Sequence, residues 1–141
     1  MSDKYDCIRL ENQICFPLYS AAREVIKHYT PYLQKIDLTY TQYIAMMVLW
    51  DVKKTSVKEL GEKLFLDSGT LTPLLKSLES KGYVTRNRSK EDERVLIVEI
   101  TEKGDALKDE AVDIPKALMG CVNLTQDEAI TLYKLLYKLL S

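Results

Sequence analysis

Histidine is almost missing from this chain: one in 141 residues, with three cysteines far apart at 7, 15 and 121. Zinc needs several Cys or His ligands at close spacing, so no metal site is expected, and no cofactor is called for either. An odd number of scattered cysteines also argues against a disulfide framework. Long apolar runs are lacking too. The longest, Tyr43 to Trp50, is far too short to cross a bilayer. With no charged, apolar, small-residue leader at the N-terminus, the chain is expected in the cytoplasm, away from membranes. Phenylalanine is scarce, two against nine tyrosines. Such a skew along apolar stripes suggests that some hydroxyls have a task.

A basic excess is missing as well. The net charge is −1, whereas nucleic-acid-binding domains are often strongly basic. The distribution is uneven, however. Residues 53 to 94 carry ten Lys and Arg against seven Asp and Glu, while the rest of the chain is net acidic. A surplus of that size implies that any DNA affinity depends on correct docking and on two copies.

At 46% hydrophobic content, the chain has material for one core, so residues 1–141 are expected to form a single domain. Ile14, Leu18, Ala22, Val25, Ile26 and Tyr29 recur at helical spacing. They predict a long first helix ending near Thr30-Pro31 and starting at about Cys15, or kinked at Pro17. Thr39 or Thr41 caps a second helix running through Trp50, and Ser56-Val57-Lys58-Glu59 opens a third as a capping box. Asp67 or Ser68 caps a fourth that ends at Gly82, its left-handed terminator. The period then changes to two. Tyr83–Arg86 and Val95–Ile100 predict antiparallel strands around a charged loop. Thr101-Glu102-Lys103-Gly104 begins another helix, which Pro115 and Gly120-Cys121 interrupt, and Thr125 caps a last one.

Two helices followed by a hairpin form the order of a winged helix-turn-helix. Such a unit places its second helix in the major groove and its hairpin beside it. The N-terminal end of a recognition helix must be small and able to hydrogen-bond, because that end approaches base edges. Ser68, Gly69, Thr70 and Thr72 meet this need. Pro73 offers an apolar edge to thymine methyls, and Lys76 stands a turn further on for phosphate. A plain helix cap accounts for Asp67 or Ser68, but not for the absence of large residues across the whole first turn. In the hairpin, Arg94 suits a minor groove, with Asp92 two residues away to orient it, and Arg86 adds positive charge. The first and last helices carry more apolar faces than a small winged domain needs. A homodimer built from both chain ends is expected to cover them.

The expected fold is therefore mainly α with a small β-hairpin wing. A winged helix-turn-helix spans 39–101, and a helical dimerisation region is made from 1–38 and 102–141. Leu60-Gly61-Glu62, Leu66 to Lys76, Glu91-Asp92-Glu93-Arg94 and Thr101-Glu102-Lys103-Gly104 together resemble the MarR family of dimeric winged-helix regulators. Asn12-Gln13-Ile14-Cys15-Phe16, Leu38 to Tyr43 and Val112-Asp113-Ile114-Pro115 resemble its organic hydroperoxide resistance branch, which includes global virulence regulators. The likeness covers nearly the whole chain. Pro17 departs from it, standing where a bulky apolar residue is expected.

Peroxide-sensing cysteines react as thiolates, so they need groups that stabilise the anion and access for the oxidant. Cys15 lies near a helix start, where the helix dipole favours an anion, and Tyr19 is one turn away on the same face. Spacing alone favours the reading of Cys15 as a small buried hydrophobe; the resemblance reverses that. Tyr29 lies about 21 Å farther along a continuous helix, so any Cys15 it serves is the partner subunit's. The resemblance implies the same: tyrosines matching Tyr29 and Tyr40 contact the reactive thiol across the subunit boundary. Cys121 is either a resolving thiol, as in the two-cysteine regulators, or an incidental cysteine near a helix break. Cys7 and His28 are expected to be peripheral.

The expected function is that of a homodimeric repressor on palindromic double-stranded DNA, released when organic hydroperoxide oxidises Cys15, and not an enzyme. One alternative keeps the DNA and replaces the signal with a small aromatic ligand. Another is a global regulator with a thiol switch. A thiol peroxidase would use the same Cys15 but leaves Ser68 to Lys76 and Arg94 without a task.

Overall fold

The computed structural model describes residues 3–141; the first two positions of the expected 1–38 region lie outside the described residues. Two short 3-10 turns, Asp6–Ile8 and Leu10–Asn12, lead into helix α1, Cys15–Lys35. Helix α2, Tyr40–Val52, is followed by strand β1, Lys54–Ser56, and by helices α3, Val57–Leu64, and α4, Ser68–Ser80. Strands β2, Val84–Arg88, and β3, Leu96–Ile100, form the hairpin. Helices α5, Glu102–Ala106, α6, Lys108–Ala111, α7, Ile114–Met119, and α8, Gln126–Leu140, complete the chain.

Most boundaries follow from local chemistry. The Thr39 hydroxyl accepts from the Gln42 amide while the Gln42 side chain accepts from the Thr39 amide, a reciprocal cap that fixes the start of α2. Thr125 and Glu128 do the same for α8. Asp67 caps α4 by accepting from the Thr70 amide. At α3 only half of the expected box forms: Ser56 accepts from the Glu59 amide, but the Glu59 carboxylate accepts instead from the Thr55 hydroxyl. Gly82 closes the α4 end at φ +83°, a conformation that L side chains rarely adopt.

Besides the Glu59 box and Pro115, which sits in the first turn of α7 instead of interrupting a helix, the structure departs from the sequence reading in two places. Helix α1 starts at Cys15 but does not stop at Thr30-Pro31; it runs through Pro31 to Lys35. An interior proline costs about 3 kcal/mol, yet Leu33, Ile36 and Leu38 just beyond it are buried in the core. Each such burial returns about 1.5–3 kcal/mol, enough to carry the helix past the proline. The second departure is β1. Its three polar residues pair antiparallel with β3, Lys54 opposite Glu99 and Ser56 opposite Ile97, giving a sheet in the order β1-β3-β2.

The core runs from Leu33 to Leu118. It gathers Met46 and Leu49 of α2, Leu60 of α3, Leu71, Leu75 and Leu78 of α4, Val84 and Val98 of the hairpin, and Leu107 and Ile114 further on. Beyond those limits no described residue is fully buried, although Tyr29 and Tyr32 pack half-buried against the core. Leu33 is the only buried residue of α1, and α8 has none.

Candidate nucleic-acid interface and thiol site

Helix α4 divides cleanly into two faces. Leu71, Leu74, Leu75 and Leu78 are buried, while Ser68, Gly69, Thr70, Pro73 and Lys76 are exposed and Thr72 is half-buried between them. Six of the expected reading residues thus share one end and one flank of a 13-residue helix. Asp67 is kept ionised well below the usual carboxylate range by the hydrogen bonds from Thr70 and Gly69. It therefore caps α4 throughout neutral pH, with Ser68 and Thr70 exposed beside it.

In the wing, Ser89 donates its amide to the Val95 carbonyl at 2.7 Å, closing the loop beyond the strands. At its tip the Asp92 carboxylate accepts from Arg94 three times, from its amide at 3.0 Å, from Nε to Oδ1 at 3.1 Å and from Nη2 to Oδ2 at 3.2 Å. The Arg94 hydrogen bonds lower the Asp92 pKa. The Arg94 side chain is nevertheless 91% exposed. Its guanidinium is aimed without being covered, as groove insertion requires.

Arg86 differs. Its side chain is only 17% exposed and its Nη2 lies 3.1 Å from Oε1 of Glu79, whose other oxygen accepts from the Arg86 amide. The pair ties β2 to the outer flank of α4. Arg86 thus holds β2 against α4 and is less open than Arg94, which is exposed at the wing tip. Charge composition does not distinguish the two roles; only the neighbouring Glu79 does.

The thiol residues lie at three separate places within one chain. Cys15 is exposed in the first turn of α1, with Pro17 two residues on. Tyr19 is exposed one turn later, under the Arg23 guanidinium at 5.4 Å from its ring centre. Tyr29 and Tyr40 meet at the far end of α1, their ring centroids 5.0 Å apart. Tyr43, which the sequence places in an apolar run and at the end of the Leu38 to Tyr43 motif, completes the group at 5.7 Å from Tyr29. Burial raises the pKa of all three above 10.0, so their hydroxyls remain protonated donors at neutral pH. Cys121 is exposed just beyond α7, its Sγ donating to the Ala117 carbonyl at 3.9 Å, and Cys7 is exposed in the N-terminal turns. An open groove of about 450 Å³ lies between α2 and the α6–α7 region, lined by Tyr43, Met47, Trp50, Lys108, Val112 and Pro115 among others.

The model of the SarA/Rot transcriptional regulators matches residues 27–111. The organic hydroperoxide resistance transcriptional regulator of Bacillus subtilis is 47% identical over 140 residues, spanning 99% of this chain and 95% of its own. A mutant of MarR from E. coli complexed with operator DNA superimposes with a TM-score of 0.81 at 28% identity, over 99% of this chain and 100% of that one. The chain belongs to the MarR family, in its organic hydroperoxide resistance branch. A further relative of this MarR-family chain is AbfR of Staphylococcus epidermidis, solved on DNA both reduced and overoxidized. The reduced complex gives a TM-score of 0.79 at 33% identity, covering 98% of this chain and 96% of that one. This MarR-family member is a DNA-binding transcription regulator with a winged-helix fold, and its relatives act in redox regulation. No helix among the described residues is long and apolar enough to cross a membrane.

Proposed function

We propose that the chain is a homodimeric, cytoplasmic repressor that binds a palindromic operator when reduced and leaves it when an organic hydroperoxide oxidises Cys15. Residues 39–101 read the DNA, and 1–38 with 102–141 form the dimer. Ser68, Gly69, Thr70, Thr72 and Pro73 face base edges, Lys76 faces phosphate, and Arg94, aimed by Asp92, enters the neighbouring minor groove.

The observation that carries the redox reading is the half-buried Tyr29–Tyr40 pair at one end of α1, with an exposed Cys15 at the other. Roughly 21 Å of helix separates Cys15 from Tyr29, so the two fit one site only if α1 helices of two subunits run antiparallel. Exposed Leu18, Val25 and Ile26 on α1, with Ile130, Leu135 and Leu139 on α8, supply the apolar surface for that pairing. In the chemical step the Cys15 thiolate attacks one peroxide oxygen and the O–O bond breaks. Sulfur is oxidised to the sulfenic level and the peroxide is reduced, its other oxygen taking a proton to leave as the alcohol. Tyr29 and Tyr40 donate to the thiolate beforehand, with Tyr19 flanking it. Cys121 then resolves the sulfenic acid as a disulfide with the partner's Cys15, releasing water.

Fluorescence anisotropy on operator DNA with the wild type, Cys15→Ser and Cys121→Ser, before and after cumene hydroperoxide, tests this. The wild type should release DNA on oxidation and Cys15→Ser should not. Persistent binding by the oxidised wild type would sink the redox reading. Cys121→Ser should release DNA yet form no intersubunit disulfide. The groove between α2 and α7 favours a second reading, in which a small aromatic ligand is the signal. Release of Cys15→Ser from DNA by an aromatic acid would select it.

A further inference from the structure

Gln42 is the buried polar residue in a core otherwise made of apolar side chains among the described residues. Both ends of its amide are used. Oε1 accepts from the Thr39 amide at 3.1 Å and from Lys81 Nζ at 3.1 Å, and Nε2 donates to the Ser77 hydroxyl at 2.9 Å. Lys81 also donates to the Asp37 carbonyl and lies 3.6 Å from the Asp37 carboxylate. Asp37 forms the α1–α2 turn at φ +54°, a left-handed setting that non-glycine residues rarely hold without support. Ser77 lies in the last turn of α4 and Lys81 caps that helix. Three parts of the fold thus meet on one side chain: the end of α1, the first turn of α2 and the far end of the recognition helix.

An apolar side chain of similar size would fill this space with no demand on geometry. A buried amide is different, because its bonds hold only in one relative setting of its partners, and each one lost leaves a desolvated group. Gln42 is therefore sensitive to small movements between α2 and α4. The same first turn carries Tyr40, two residues earlier and about 200° around the helix, packed on Tyr29. One face of a single turn meets the tyrosines and the opposite face holds the recognition helix.

We propose that Gln42 is the positioning residue that passes the oxidation state of Cys15 from Tyr40 to the recognition helix, through Ser77 and Lys81. This rests on Cys15 being the peroxide sensor whose thiolate Tyr29 and Tyr40 hold. In the reduced dimer Tyr40 is held by the thiolate, and the Thr39–Gln42 cap keeps α4 clamped at its C-terminal end. Once oxidation removes that acceptor, the first turn of α2 relaxes and Gln42 moves with it. Ser68 to Thr72 lie toward the other end of the 13-residue α4, Ser68 about 14 Å from Ser77 along the helix. A small tilt at the clamp becomes a displacement at the base edges. Two half-sites roughly 34 Å apart penalise it.

The test uses the full-length dimer and a labelled duplex selected from a random pool with reduced wild-type protein. The reading is the ratio of Kd after cumene hydroperoxide to Kd before it. Gln42→Met should bind within about threefold of the wild type when reduced, while its ratio falls about tenfold, the size of a typical coupling between sites. Gln42→Glu should restore the ratio: its carboxylate accepts from Lys81 and the Thr39 amide, and the Ser77 hydroxyl turns to donate. Dimedone labelling of Cys15 should proceed at the wild-type rate in every variant. A ratio unchanged in Gln42→Met overturns the relay alone. A wild type whose ratio stays at one overturns the relay and the redox reading together. If Gln42→Met does not fold, half-exposed Ser77→Ala carries the same comparison, and an unchanged ratio there overturns the relay.

Discussion

Residues 33 to 118 and the two chain ends solve the same problem differently. In the middle, α2, α3, α4 and the hairpin bury their leucines and valines on one another, with Met46, Leu49, Leu60 and Val98 wholly covered. At the ends, Phe16, Leu18, Val25 and Ile26 on one side and Ile130, Leu135 and Leu139 on the other are left in the open. The middle completes its core within one chain and the ends do not. An apolar surface of that extent on a folded chain marks a place for another surface. On the proposed reading the division also separates tasks: a self-sufficient unit keeps its reading face fixed, while an interface that depends on a second copy can change its spacing.

The sharpest way to break this comparison is to charge the ends. Leu135→Lys with Leu139→Lys should leave the fold of residues 33–118 intact by circular dichroism yet give monomers by sedimentation velocity. Operator affinity should fall about 10²–10⁴-fold, because the second half-site is no longer gained from a tethered copy. A wild type that sediments as a monomer, or a charged variant that binds DNA unchanged, would remove the distinction. The next largest effect is on stability and contrasts two glycines. A methyl group at Gly104 would collide with the Tyr83 carbonyl and press on Ile100, whereas at Gly120 it meets only ordinary contacts. Gly104→Ala should lose about 3 kcal/mol or more in urea melts, and Gly120→Ala should stay within roughly 0.5 kcal/mol.

The sequence reveals the middle better than the ends for a related reason. Caps at Thr39, Ser56, Asp67 and Thr125 and the terminator Gly82 are local, so they can be read from neighbours a few positions away. Strand β1 is not local. Lys54-Thr55-Ser56 has no apolar alternation and becomes a strand only because β3 offers its edge. Continuation of α1 through Pro31 likewise depends on where Leu33 and Ile36 are buried. Among the candidate site residues, the exposed flank of α4 and the Asp92–Arg94 pair follow from helical period and spacing. Gln42 was visible as the fourth residue of a Thr-capped turn, but its contacts with Ser77 and Lys81 bridge 35 and 39 positions. Nothing in the local pattern carries such a pairing, nor the one that turns Arg86 toward Glu79.

The two wing arginines sharpen the division between reading and holding within the middle itself. Arg94→Ala should weaken operator binding about tenfold and reduce its salt dependence, with no change in melting temperature. Arg86→Ala should act the other way round, lowering the melting temperature through loss of the Glu79 pair and affecting DNA binding mainly through the wing angle. Equal effects of the two on both measurements would mean that exposure does not separate their roles.

The smallest effect is at the seam between the two regions, where Tyr29 of α1 meets Tyr40 and Tyr43 of α2. Burial raises all three pKa values, with proximity of the Tyr29 hydroxyl adding to the shift at Tyr40 and Tyr43. Because the folded values exceed the unfolded value of 10.0, the stability linked to these phenols is fully present below that pH. It is lost as pH rises through the folded values. Native-state absorbance at 295 nm should therefore show, among the nine tyrosines, a lagging group that ionises above the unfolded value. That group contains these three with Tyr133, whose ionisation the Tyr137 hydrogen bond delays. Tyr40→Phe should shrink the lag by one phenol and ease ionisation of Tyr43, which then faces the charge of Tyr29 alone. If the titration instead rises as one unshifted step, the seam is open to water. The hydroxyls would then lack the desolvated setting that lets a neutral donor hold a thiolate.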